Sequence, residues 1–264
     1  MRFVVDAVSA YAYTGTRPLS RDRPAVVFVH GAANDHSVWT LQSRYFAHHG
    51  FDVLAADLPG HGRSDGEPLA SVEAIAQWLM RLLDAADIER ATLVGHSLGA
   101  LAALEAAATF TERVERIALL GPAVPMAVSE ALLAAAQSND PVAYELIVGW
   151  SHSSGRLLGG NPVPGAWMAG AALRLMQRSK PGVLHIDLVA CNGYAGGAQA
   201  AGKVSCPALL VLATRDLMAP MRAAQPLIET LRDARVVKLA DCGHAMMAEQ
   251  PDAVLDALRA FVTR

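Results

Sequence analysis

Cysteine is scarce in this chain. Cys191, Cys206 and Cys242 are the only three in 264 residues, and no CxxC occurs. So few, so widely spread, cannot frame a disulfide scaffold or a cysteine-based zinc site, and they fit a reducing compartment. Charge is thin as well. Only 18% of residues carry one, the formal net charge is −3, and neither sign runs in blocks. A nucleic-acid binder shows a basic excess or stripe, so that class of partner is excluded. Long apolar runs are also missing. The longest, Ile117 to Val128, is broken by Gly121, Pro122 and Pro125 and falls short of the ~20 residues that span a bilayer. Asp6 interrupts the opening Met1–Val5 before a signal-peptide core can form. The expectation is a cytoplasmic protein with no membrane or nucleic-acid partner. Core material, by contrast, is plentiful: 53% of residues are hydrophobic, enough for a large buried core and incompatible with disorder.

The patterning alternates. A stretch from Phe3 to Tyr13 reads as a short hairpin. Ala25 to Val29, after Pro24, is a continuous apolar, β-branched run of the kind buried on both faces of a sheet. Val53–Ala56, Ala91–Val94, Ile117–Leu120, Leu209–Ala213 and Val236–Leu239 read the same way. Between them lie helical patterns. Val72, Ile75, Ala76, Leu79, Leu82 and Leu83 recur at three and four residues behind a capping Ser71, and Asp252–Val262 carries a similar face. Strands separated by helices predict an α/β protein with a mostly parallel central sheet and helices on both faces. Ligands then bind outside the carboxyl ends of the strands.

Residues 122–202 break the alternation. No buried strand is visible there, but helices are expected over Glu130–Gln137, Tyr144–Trp150 and Ala166–Arg178, punctuated by Gly159, Gly160, Pro162, Pro164 and Gly165. Such a segment is too long for a loop and too helical for a linker. It reads as a helical cap inserted over the strand ends of a core formed by residues 1–121 and 203–264.

The sharpest chemical signal is Gly95-His96-Ser97-Leu98-Gly99, directly after a strand and directly before the helical Ala100–Ala108. A G-x-S-x-G pentapeptide in that setting is a tight turn that thrusts a serine hydroxyl outward, with glycines where side chains would collide. The bland alternative is an ordinary glycine-rich turn, which the flanking strand and helix argue against.

Here the chain resembles the α/β-hydrolase family. Asp57-Leu58-Pro59-Gly60-His61-Gly62-Arg63-Ser64 is similar to that family's D-x-x-G-x-G-x-S loop. His30-Gly31-Ala32-Ala33, with Asp35 and Trp39 beyond it, is similar to its oxyanion loop. The resemblance covers nearly the whole chain and implies a Ser-acid-His order. A serine hydroxyl needs a base, and the base an orienting carboxylate. Of nine histidines only His244 follows a late strand, so the resemblance gives it the base role, with Asp216, 28 residues earlier, as the acid. Asp241 lies too near His244 in sequence to reach its ring. The backbone N–H groups of Leu98 and, by resemblance, Ala32 would hold the oxyanion.

Asp57 and His61 together would leave a metal's coordination sphere half empty, and no phosphate-cradling glycine motif occurs, so neither metal nor cofactor is expected. Serine at 97 argues against relatives with a carboxylate nucleophile. The reading is a serine hydrolase of a small-molecule carboxylic ester, thioester or lactone with an apolar portion. Met126, Trp150, Trp167 and Met246 are candidate pocket residues, and Arg156 and Arg174 are candidates for a substrate carboxylate. Several alternatives stay open. One is a C–C bond hydrolase, although Ala245 stands where those relatives carry Trp. Another is a perhydrolase or haloperoxidase-like enzyme, although Leu98 stands where those often carry Met. An acyltransferase and a non-catalytic ligand receptor of the same fold complete the set.

Overall fold

A computed structural model describes residues 1–160 and 167–263. Pro162, Pro164, Gly165 and the expected helix start at Ala166 lie outside the described residues.

The elements, in chain order, are β1 (Arg2–Val5), β2 (Val8–Tyr13), β3 (Ala25–Val29), α1 (Thr40–His48), β4 (Asp52–Ala56), α2 (Val72–Ala85), β5 (Ala91–His96), α3 (Leu98–Thr109) and β6 (Val114–Leu120). Then come α4 (Glu130–Gln137), α5 (Pro141–Ser151), α6 (Ser154–Leu157), α7 (Met168–Met176), α8 (Val183–Gly193) and α9 (Gly197–Lys203). The chain closes with β7 (Ala208–Ala213), α10 (Gln225–Thr230), β8 (Ala234–Leu239), α11 (Met246–Glu249) and α12 (Pro251–Val262).

The sheet runs β1-β2-β4-β3-β5-β6-β7-β8. β1 and β2 are antiparallel, and the six strands from β4 to β8 in that order are parallel, as the strand–helix alternation predicts. The continuous apolar runs follow from burial on both faces. Val27, Val29, Leu93 and Leu210 pack on one side against α2, α3, α9 and α10. Val26, Phe28, Val94 and Val211 pack on the other against α1 and α12. Helix α2 starts where Ser71 accepts the Ala74 N–H at 3.1 Å and lays Val72, Ile75, Leu79 and Leu82 on the sheet. Burying one such side chain is worth about 1.5–3 kcal/mol, and this face carries several.

Between β6 and β7, α4, α5, α7 and α8 make an apolar cluster of their own, with Leu132, Ile147, Val148, Met176 and Leu188. Helix α9 behaves differently: Ala200 and Ala201 pack in the sheet's own core. Among the described residues, no helix is long and apolar enough to cross a membrane. Because β3 to β8 run the same way, the loops after them gather at one edge of the sheet.

Candidate active site

Ser97 stands between β5 and α3 with φ 54° and ψ −117°, a strained conformation for a residue with a side chain. The flanking glycines permit it. A Cβ on Gly95 would run into the Gly99 carbonyl, and one on Gly99 into the carbonyls of Val29 and His30. The Ser97 N–H donates to the Leu120 carbonyl at 2.9 Å, fixing the turn to β6.

Asp216 follows β7 and is buried. Its Oδ1 accepts the N–H groups of Met218 and Ala219 at 2.9 and 2.7 Å, and its Oδ2 lies 2.7 Å from His244 Nδ1. With a carboxylate on that side, Nδ1 carries the proton and Nε2 holds the lone pair. His244 Nε2 is buried and has no hydrogen-bond partner among the described residues. Ser97 and His244 line one cavity of about 1030 Å³. No Ser97–His244 hydrogen bond is formed. Gly121, with φ +58°, makes room for the pair, since a Cβ there would sit 2.9 Å from His244 Cε1 and 3.0 Å from its Nδ1.

The loop after β3 closes the other side. A Cβ on Gly31 would lie 3.2 Å from Ser97 Cβ, so this backbone is pressed against the serine. The Asn34 N–H is taken by the Gly31 carbonyl at 3.2 Å and the Ala33 N–H by Asp187 at 2.8 Å, and Ala32 between them lines the cavity. Leu98 opens α3, where N–H groups have no intrahelical acceptor.

Buried polar groups brace these loops. His30 Nδ1 donates to the Gly31 carbonyl at 2.8 Å while Nε2 accepts the Leu58 N–H at 3.1 Å. Burial pushes its pKa down to about 4, so the ring is neutral. Asp57 accepts from His36 and from the Arg63 N–H, and its carbonyl accepts from Ser64; burial disfavours its charge, but these hydrogen bonds outweigh that and hold its pKa below the usual range. Asp35, His36 and Asp57 stand close enough to share an ion. However, Asp35 already accepts the Ser37 N–H and pairs with Arg178, so these oxygens are engaged in bracing. His61 does not pair with Asp57. It lies 2.8 Å from Asp187 Oδ2 and donates to the Pro59 carbonyl at 2.9 Å. Burial alone would lower its pKa, but the Asp187 carboxylate raises it. Glu249, also buried, accepts from the Ser153 N–H and hydroxyl and from the Gly243 N–H, tying the end of α5 to the His244 loop.

The alpha/beta hydrolase fold family profile matches residues 24–251. The chain belongs to that family. A pimeloyl-[acyl-carrier protein] methyl ester esterase of Chromobacterium violaceum is 31% identical over 229 residues, 84% of this chain and 87% of its own length. A putative carbamate hydrolase of Pseudomonas savastanoi is 28% identical, covering 87% of this chain and 90% of its own. An uncharacterized protein of Mycobacterium tuberculosis is 37% identical over 114 residues, 42% of this chain; the match spans about a third, 33%, of that longer relative. Among solved structures, the enol-lactonase from Burkholderia xenovorans LB400 superposes with a TM-score of 0.88 over 100% of both chains, at 22% identity. The relatives and fold neighbours thus include an esterase, a putative carbamate hydrolase and an enol-lactonase, all hydrolases.

Of the expected pocket residues, Met126, Trp150 and Trp167 line the cavity, and so does Arg174. Met246 is a correction. It is wholly buried in the cluster behind the sheet and is not among the lining residues; its neighbour Met247 belongs to the same cluster and also borders the cavity. Arg156 is not among the lining residues. Asp187, Glu249 and His152 escaped the sequence reading. The available signal was a carboxylate or imidazole set within an otherwise apolar helical stretch.

Proposed function

We propose that this alpha/beta hydrolase cleaves a carboxylic ester, thioester or lactone through an acyl-enzyme formed on Ser97. The observation that carries the reading is the 2.7 Å His244–Asp216 bond, with the opposite ring nitrogen buried and unpaired in a residue that lines the same cavity as Ser97. Ser97 Oγ attacks the acyl carbon while His244 Nε2 takes its proton and passes it to the leaving group. Water then repeats the sequence in reverse. Asp216 holds the ring in the tautomer that leaves Nε2 basic. The N–H groups of Ala32 and Leu98 stabilise the oxyanion. The helices from α4 to α8 serve as the cap whose apolar side chains receive the substrate's hydrocarbon portion, and α9, packed in the sheet's core, belongs with the main body.

The ester and lactone names among the relatives and fold neighbours support the acyl chemistry, and Ala245 after the histidine weighs against C–C cleavage. The test is hydrolysis of p-nitrophenyl butyrate. Ser97→Ala should lower kcat by about 10³-fold or more; equal turnover by both proteins would end the proposal.

A further inference from the structure

Ala33 carries a side chain, yet its backbone takes φ +50°, in the left-handed region that favours glycine. Such a conformation persists where the surroundings hold it on several sides. The turn from Gly31 to Asn34 is held in this way, peptide by peptide. The Gly31 carbonyl accepts from His30 Nδ1 at 2.8 Å and from the Asn34 N–H at 3.2 Å, and the Ala32 carbonyl accepts from Asn34 Nδ2 at 3.2 Å. Those ties are local. The two on Ala33 are not: its N–H donates to Asp187 Oδ2 at 2.8 Å, and its carbonyl accepts the Ser179 hydroxyl at 3.2 Å. These partners stand 154 and 146 residues along the chain, in the segment between β6 and β7.

The grip on Ala33 reaches the neighbouring residue. A peptide group is planar, so the Ala32 N–H points as the Gly31 carbonyl dictates, and that carbonyl is anchored in part by Asn34. Asn34 lies one residue beyond Ala33, so its bonds to Gly31 and Ala32 last only while Ala33 keeps its left-handed turn. Asp187 is itself rigidly placed. It is buried, and the same Oδ2 accepts from His61 Nε2 at 2.8 Å while His61 Nδ1 donates to the Pro59 carbonyl at 2.9 Å. Arg178, next to Ser179, adds a further tie by donating to Asp35 Oδ2 at 3.0 Å. Ala32 lines the same cavity as Ser97, and the Gly31 backbone is pressed against the serine.

We propose that Asp187 is a positioning residue for the hydrolysis, holding Ala33 in its left-handed turn so that the Ala32 N–H is aimed at the oxyanion. This rests on the acyl-enzyme reading above, in which Ala32 and Leu98 supply the donors. Oxyanion stabilisation depends on donors fixed in direction before charge develops, so a carboxylate that touches neither substrate nor nucleophile can govern the rate. The oxyanion hole is thereby tied to the seating of α8 on the loops after β3 and β4.

The experiment compares wild type, Ser97→Ala, Asp187→Ala and Asp187→Asn. It measures kcat and KM for p-nitrophenyl butyrate and Ki for butylboronic acid, which forms a tetrahedral adduct on a nucleophilic serine. Losing one oxyanion donor costs about 10²–10³ in kcat, so a donor present but unguided should cost part of that. Asp187→Ala should lower kcat by about 10- to 100-fold with KM within about threefold, and raise Ki by about 10-fold or more. Asp187→Asn keeps an acceptor oxygen for the Ala33 N–H and should recover most of both, although each variant strips His61 of its counter-charge. A merely structural role would not move Ki, which is independent of how many molecules are folded. Unchanged kcat in Asp187→Ala, a fall in kcat without a rise in Ki, or no recovery in Asp187→Asn overturns the proposal; an inactive Ser97→Ala then leaves the acyl-enzyme reading standing. No hydrolysis by wild type, or a Ser97→Ala as active as wild type, overturns that reading and this proposal with it. If Asp187→Ala does not fold, adding His61→Phe removes both charges together and strands neither, and the double variant answers to the same outcomes.

Discussion

At the scale of single residues, the site depends on side chains that are absent as much as on those present. Gly121 reads in the sequence only as a break in an apolar run, yet its bare Cα is what lets His244 lie beside Asp216. Gly121→Ala would set a methyl 2.9 Å from His244 Cε1 in a backbone conformation that already disfavours a side chain. If His244 is the base proposed above, the expected result is a fall in kcat of roughly 10- to 100-fold, with KM little changed, readable by steady-state kinetics. His30 makes a different prediction. Its folded pKa of about 4 lies below the ordinary 6.5, so its contribution to stability is complete above pH 6.5 and is lost as pH falls towards 4. The loss amounts to about 3 kcal/mol for this fully buried ring. Urea unfolding at pH 7 and pH 4.5 should show it, and His30→Gln should flatten part of the slope. His96, whose pKa burial also lowers, contributes in the same direction. A slope unchanged in His30→Gln would remove His30 as its source.

Between elements, the legibility of the sequence stops where partners lie far apart along the chain. Strand β3 and helix α4 match their expected bounds, because an apolar run and a stretch of helix formers are local signals. Helices α8 and α9 went unread. Helix α8 is buried on two sides, against the cluster it shares with α4, α5 and α7 through Leu184 and Leu188 and against the sheet's core through Ala190 and Cys191, so its sequence lacks a clean apolar stripe. The role of Asp187 within it was likewise invisible, since its partners His61 and Ala33 stand 126 and 154 residues away. Through that one carboxylate, α8 holds the loops after β3 and β4 together. Asp187→Asn leaves the buried His61 ring without its counter-charge, and breaking such a pair costs about 3–5 kcal/mol. The raised His61 pKa sets the sign: the pair's stabilisation is full below the ordinary histidine pKa and fades as pH rises through the folded value. Thermal melts should therefore separate wild type from Asp187→Asn most at pH 6 and less at pH 9. An equal gap at both would show that the charge pair is not what stabilises.

On the scale of the whole molecule, alternating apolar runs announced a parallel sheet, but not that β4 would sit between β2 and β3. Strand order is chosen by long-range packing that no local pattern encodes. The same holds for the cavity. Its wall joins Met126, Ile147 and Trp150 from the segment after β6 to Leu41 and Val38 from the loop and helix after β3, pieces brought together only by the finished fold. Such a wall offers hydrocarbon far more than polar surface, in a space of about 1030 Å³, much larger than an acetyl group needs. Each methylene buried against it should contribute about 0.8 kcal/mol, or nearly fourfold in kcat/KM where the fit is complete. Across p-nitrophenyl acetate, butyrate and hexanoate, kcat/KM should therefore climb by an order of magnitude or more. Since the leaving group is constant through the series, the trend isolates the acyl side. A maximum at acetate would mean that the apolar wall receives the alcohol portion instead.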